Sequence, residues 1–169
     1  TVEAKDHCPR YAARLVKNVK IKPSPQWLQS CLLSVGLRPI NNIVDITNFV
    51  LMVCGQPLNA FDFAPLAQNR VVVKLAKDGD KFTTLDGKER TLTGEMLMIC
   101  DGEKPVGIAG VMGGLNSEIT DKTTNVLIES AYFAPSSIRK TSKKLGLHTD
   151  ASFRFERGVD YEGCMFALD

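Results

Sequence analysis

Two of the chain's three Asp-Gly pairs, Asp86-Gly87 and Asp101-Gly102, stand in the middle of the chain between short strand-like runs. An Asp-Gly pair in that setting is a strong short-range hairpin signal, because a tight turn needs residues that tolerate positive φ. Lys81–Leu85 and Glu89–Thr93 flank the first pair, and Met96–Cys100 and Val106–Val111 flank the second. Arg70–Leu75 before them and Asn125–Phe133 after them also read as strands. At the start, Tyr11–Lys20 alternates apolar residues with Lys and Arg and is a further strand.

The flanks read differently. Ser24-Pro25 can open a helix that Gly36 ends, with Trp27, Leu28, Cys31, Leu32 and Val35 on one face. Asn42 can cap a second helix, Ile43–Cys54, stopped by Gly55; being nearly apolar all round, it should be buried. Ser136–Leu145 is a basic helix closed by Gly146, and a last helix is expected near Phe166. Helices at the ends and hairpins between them give an α+β class, a largely antiparallel or mixed sheet with flanking helices. No repeat, low-complexity tract or linker divides the chain, so residues 1–169 are expected to form a single domain. It begins without Met and stops within the apolar stretch Cys164–Leu168, as a domain taken from a larger subunit would.

Composition narrows the function classes. Hydrophobic residues at 44% and charged residues at 24% are globular values, which exclude a disordered chain. Lys and Arg number 21 against 19 Asp and Glu, and the resulting +2 is too small for a nucleic-acid clamp acting alone. The longest apolar run, Phe49–Cys54, falls far short of the ~20 residues that span a bilayer, so no membrane is involved. Five cysteines, scattered and without a Cys-x-x-Cys pair, argue against a disulfide framework and a structural zinc site. Cys31, Cys54 and Cys100 sit among Leu, Val and Ile and read as small buried hydrophobes, in keeping with a reducing cytoplasm.

Several residues can carry chemistry. Thr47-Asn48 lies inside an apolar helix, where polar side chains must find partners or line a polar pocket. Four glycines between Gly107 and Gly114 permit either a packing bulge or close approach of a ligand. Glu129 shares a strand face with Leu127, Ala131 and Phe133, and a carboxylate there is expensive unless hydrogen-bonded. The alternative is an edge-strand glutamate facing water. Leu147–Ser152 gathers an imidazole, an acid and hydroxyls, but triad members are seldom neighbours in sequence. With only His7 and His148 present, a two-histidine metal site is not expected. Arg154, Glu156 and Arg157 read as a local ion-pair network. Arg38 follows a helix C-terminus, where it serves the dipole or reaches an anion.

Five segments together resemble the B3/B4 editing domain of the bacterial-type phenylalanyl-tRNA synthetase β subunit. They are Gly36-Leu-Arg-Pro-Ile-Asn-Asn-Ile-Val-Asp-Ile-Thr-Asn48, Gly55-Gln-Pro-Leu-Asn-Ala-Phe-Asp62, Gly107-Ile-Ala-Gly-Val-Met-Gly-Gly114, Leu127-Ile-Glu-Ser-Ala-Tyr-Phe133 and Leu147-His-Thr-Asp-Ala-Ser-Phe-Arg-Phe-Glu-Arg-Gly-Val-Asp160. They occur in family order and span nearly the whole chain.

The resemblance implies post-transfer editing, hydrolysis of tyrosine wrongly esterified to phenylalanine tRNA. It places the catalytic positions on Arg38, Thr47, Asn48 and Asn59. The tyrosyl pocket falls on Glu129, Ala109, Gly110, Thr149 and Ala151, with Glu129 matching the family's glutamate for the phenol. Implied partners are the acceptor end of the tRNA, the remaining β-subunit domains and the α subunit of a heterotetramer. No cofactor or metal is implied in this domain, although the parent enzyme uses ATP and magnesium. The helix carrying Arg139, Lys140, Lys143 and Lys144 either guides the acceptor end or is a solvated face.

One position departs from the family. Asn59 stands where the motif usually has histidine, and asparagine does not titrate, so it cannot be a general base. Either Asn59 orients the water or terminal ribose, or editing is weakened and the chain serves as a tRNA-docking or subunit-assembly module.

Overall fold

The computed structural model describes residues 1–169. Strands β1 (Arg10–Lys17), β2 (Leu58–Asp62) and β9 (Asn125–Tyr132) form one antiparallel sheet with β9 in the centre. A second antiparallel sheet runs β3 (Val72–Leu75), β6 (Leu97–Cys100), β7 (Pro105–Ile108) and β8 (Met112–Gly113). Strands β4 (Lys81–Thr83) and β5 (Glu89–Thr91) make a separate hairpin. The helices are α1 (Gln26–Ser34), α2 (Asn42–Cys54), α3 (Pro135–Leu145), α4 (Asp150–Phe155) and α5 (Gly163–Leu168). The α+β architecture expected from the hairpin signals is therefore the one adopted.

Local chemistry explains the boundaries. β1 stops at Lys17 because Asn18 takes a left-handed conformation, so the strand ends before the expected Lys20. Asp86-Gly87 and Asp101-Gly102 are both turns, by different means. Gly87 supplies a positive φ, whereas the second turn runs over Asp101–Lys104, with the Asp101 carboxylate accepting the Glu103 and Lys104 N–H groups. Helix α2 is capped by Asn41, whose side chain accepts from the Ile43 and Val44 N–H groups, not by Asn42. Ser24 does not cap α1: its hydroxyl donates to Asp45 at 2.6 Å, and Asp45 also accepts the Ile40 N–H at 2.7 Å. That buried carboxylate fastens the segment between α1 and α2 onto the first turn of α2.

The core lies between the two sheets. Phe61 of β2, Val73 of β3, β6, Val106 and Ile108 of β7, and Ala131 of β9 interlock with Phe133, Ile138 of α3 and Phe155 of α4. A smaller cluster of Ile43, Ile119 and Val126 fills the opposite face of the first sheet. Alternation along β9 thus sends Leu127 and Ala131 to one cluster and Val126 and Ile128 to the other.

Three expectations are corrected. Helix α2 is not buried all round: Ile46 and Val53 are exposed, because only one side of the helix meets the sheet. On α1, Leu28 and Leu32 are covered while Trp27, Cys31 and Val35 are not, although Trp27 packs edge-to-face on Phe49 at 5.7 Å between centroids. Of the three cysteines expected in the interior, Cys100 is buried, but Cys31 and Cys54 lie on these outward helix faces.

Candidate functional site

A cavity of about 260 Å³ opens between the sheets, walled by β2, the β7–β8 segment, β9 and the start of α4. It brings together Asn48, Asn59, Ala109, Gly110, Glu129, Thr149 and Ala151, seven of the residues singled out in the sequence. A second cavity of about 360 Å³ shares Asn48, Leu58, Asn59, Leu85 and Gly113 with the first, so the two meet at the asparagines. Thr47 lines only the second, and its hydroxyl donates to the Val44 carbonyl of its own helix at 2.8 Å. Arg38 is exposed and lines neither, but Ile40, two residues further on, lines the second.

Glu129 is the chemical centre of the first cavity. It sits on the central strand β9 and is only 6% exposed, which excludes an edge glutamate facing water. Oε2 accepts the Tyr11 hydroxyl at 2.6 Å, and no protein group donates to Oε1. Burial raises the carboxyl pKa from 4.5 to about 7, and the Tyr11 hydrogen bond acts against that rise. Burial, followed by the neighbouring Glu129 charge, pushes the Tyr11 phenol well above its ordinary range. The pair therefore presents an acidic group close to its midpoint at neutral pH, with one oxygen uncommitted.

Asn59 reaches the same cavity through strand register. It pairs with Glu129 across β2–β9, so both side chains emerge on one face of the sheet. The side-chain amides of Asn48 and Asn59 make no hydrogen bond within the protein. Free amides at the junction of two cavities can donate to a carbonyl or hold a water.

The glycine segment serves both packing and access. Gly114 is pure packing: a Cβ there would lie 2.5 Å from the Phe82 ring. Gly110 has φ +66°, and a Cβ would come within 3.0 Å of Ile138 and Phe155. Gly110 thus lets its backbone pack closely on the core, and with Ala109 it also lines the cavity. Thr149 is the N-cap of α4: its hydroxyl accepts the Ser152 N–H and donates to the Val111 carbonyl at 2.9 Å. It joins α4 to the glycine segment, and its hydroxyl is fully engaged.

Asp150, at the first turn of α4, also lines the cavity and pairs with Arg154 at 3.0 Å. This replaces the expected network: Arg154 turns to Asp150, and only Arg157 pairs with Glu156. Asp150 is the acid of the Leu147–Ser152 segment and reaches the cavity beside Thr149 and Ala151, whereas Tyr11 carries no local signal and joins the site only through its long-range contact with Glu129. Cys8, which feels the Glu129 charge, has its thiol pushed up by burial to about 12, so it is no nucleophile at neutral pH. His7 contacts Ser137 and His148 is exposed, so neither lines the cavity. No helix is long and apolar enough to cross a membrane.

Comparison with known proteins agrees with this architecture. Residues 7–169 match the family model described as the B3/4 domain. The chain is 58% identical over 164 residues to the phenylalanine–tRNA ligase beta subunit of Syntrophus aciditrophicus, covering 97% of the chain and 20% of that protein. It is 57% identical over 168 residues to the subunit of the same name in Moorella thermoacetica, covering 99% of the chain and 21% of that protein. The chain thus spans about one fifth of the length of the relatives it matches. Its fold resembles a crystal structure of an N-terminal fragment of the phenylalanyl-tRNA synthetase beta subunit from Pyrococcus horikoshii, with TM-score 0.56 and 14% identity. That match covers 86% of this chain and 48% of the other. The chain belongs to the B3/4 domain family.

Proposed function

We propose that this chain is the proofreading domain of a phenylalanine–tRNA ligase β subunit and hydrolyses tyrosine esterified to phenylalanine tRNA. The observation that carries the reading is Glu129: a buried carboxyl with one oxygen free, at the wall of a cavity scaled for one amino-acid side chain. A synthetic pocket shaped for phenylalanine cannot strongly exclude a substrate that merely adds a hydroxyl, and typical discrimination is about 10²-fold. A second site reverses the logic. The phenol of tyrosine donates to Glu129 Oε1, whereas phenylalanine leaves that atom unpaired at a cost of about 1–3 kcal/mol.

The ring lies against Ala109, Gly110 and Ala151, and the ester then falls at the junction marked by Asn48 and Asn59. The neighbouring cavity, with Thr47 on its wall, takes the terminal ribose, and Arg38 stands outside it towards the phosphates. Water adds to the ester carbonyl, the C–O bond to the ribose breaks, and tyrosine and the ribose hydroxyl leave. Asn48 and Asn59 position water and carbonyl; an activated ester needs placement more than a strong base. No nucleophilic side chain, metal or cofactor enters this scheme. The inferred setting is the cytoplasm, with the rest of the synthetase, including its α subunit, supplying most phosphate contacts.

The docking-module alternative predicts a cavity closed to an aromatic side chain; the open Glu129 cavity favours hydrolysis. The test is deacylation of tyrosyl- and phenylalanyl-tRNA by the full-length protein carrying this chain. Rapid tyrosyl-selective release supports editing, and equal uncatalysed decay of both esters supports the docking module.

A further inference from the structure

We infer that Tyr11 is a positioning residue for specificity: its hydroxyl holds one oxygen of Glu129 so that the other is presented to a substrate phenol. The inference rests on the editing reading and extends it to a residue on another strand. Tyr11 lies on β1 opposite Ala131, one diagonal step from Glu129, and the two side chains share a face of the sheet. The O–H···O separation of 2.6 Å falls in the range of a hydrogen bond to an ionised acceptor.

No other side chain performs this task. Neither Lys nor Arg contacts Glu129, and Tyr11 is its sole hydrogen-bond donor within the protein. The charged and titratable groups around it do not substitute. Cys8 precedes β1 and Cys164 lies on α5; burial raises both thiols, so they stay neutral at pH 7. Asp150 on α4 lines the same cavity but is committed to Arg154. From β2 the facing residue is Asn59, which carries no charge.

The consequence concerns which species meets the substrate. A buried carboxyl without a donor stays protonated at neutral pH and offers a hydroxyl rather than an acceptor. The Tyr11 hydroxyl favours the ionised form, so Glu129 can accept the phenol of tyrosine. Burial and the internal hydrogen bond together set the pH at which discrimination appears.

The test is the pH profile of tyrosyl- and phenylalanyl-tRNA hydrolysis by the full-length protein, in wild type, Tyr11→Phe, Glu129→Gln and the double variant. Tyr11→Phe keeps the ring and removes one oxygen. The wild type should gain tyrosyl selectivity along a limb near pH 7. Tyr11→Phe should move that limb up by about one unit, losing roughly fivefold at pH 7 and regaining it at higher pH. Glu129→Gln should have no limb, and adding Tyr11→Phe to it should change nothing further. A selective wild type whose limb is unmoved in Tyr11→Phe overturns this inference alone, as does a further loss in the double variant. A wild type that hydrolyses neither ester overturns the editing reading and this inference with it.

Discussion

Asn59 and Glu129 are partners across the β2–β9 ladder, one residue on each strand at the same register, and both line the first cavity. That pairing puts the proposed reacting end and the specificity end of the site on one sheet face. Because side chains alternate with period two, a one-residue slip of β2 would carry Asn59 to the opposite face. Placement of the asparagine is thus a property of the ladder rather than of the surrounding loop.

Asn59→Ala should lower tyrosyl-ester hydrolysis by about tenfold, the worth of one positioning hydrogen bond of about 1–1.5 kcal/mol, without losing selectivity. Asn59→His should create a new dependence on pH near the ordinary imidazole value of about 6.5. Single-turnover deacylation across pH measures both. A rate indifferent to Asn59→Ala would remove the residue from the mechanism.

Stability should carry a signature of Glu129. Its folded pKa of about 7 lies above the reference value of 4.5, so the folded chain retains a proton that the unfolded chain releases. The contribution is fully present below pH 4.5 and is lost as pH rises through 7. The swing amounts to about 3 kcal/mol. Asp86 and Asp101 act in the opposite sense and at lower pH. The Thr84 hydroxyl holds Asp86 below 3.8, and backbone N–H groups overcome burial to hold Asp101 there too. Denaturant unfolding of wild type and Glu129→Gln at pH 5 and 8 should show the excess pH dependence only in wild type.

Gly110→Ala should destabilise the chain by about 1–3 kcal/mol. The added methyl would meet Ile138 and Phe155 at 3.0 Å and Phe133 at 3.1 Å, on a backbone with φ +66° that L side chains rarely adopt. Gly36→Ala is the control for the backbone effect alone, since nothing lies within 4 Å of its Cβ position. Thermal melts of the two variants separate crowding from conformational strain.

The hairpin region was readable because turn chemistry and period-two alternation are local. Glu129 was conspicuous for a similar reason, a carboxylate on an apolar strand face. Strand β2 escaped notice because Leu58–Asp62 is short and only Phe61 is buried, so it carries no clean alternation. Helix α4 was hidden by its capping box, in which Thr149 pairs with Ser152 where glutamate or glutamine is the usual signal. Apolar composition misled on α2: it says that Ile46 and Val53 can be buried, whereas burial depends on which helix face the sheet covers. Tyr11 could not have been singled out without the β1–β9 register, which brings together residues far apart in the chain.

The most direct measurement is the ratio of tyrosyl- to phenylalanyl-tRNA hydrolysis rates in the full-length protein, with and without Glu129→Ala. The account predicts strong tyrosyl preference in wild type and a loss of about 5–150-fold in that ratio in the variant, as removal of a discrimination of about 1–3 kcal/mol requires. A Glu129→Ala protein that keeps the wild-type ratio would contradict it.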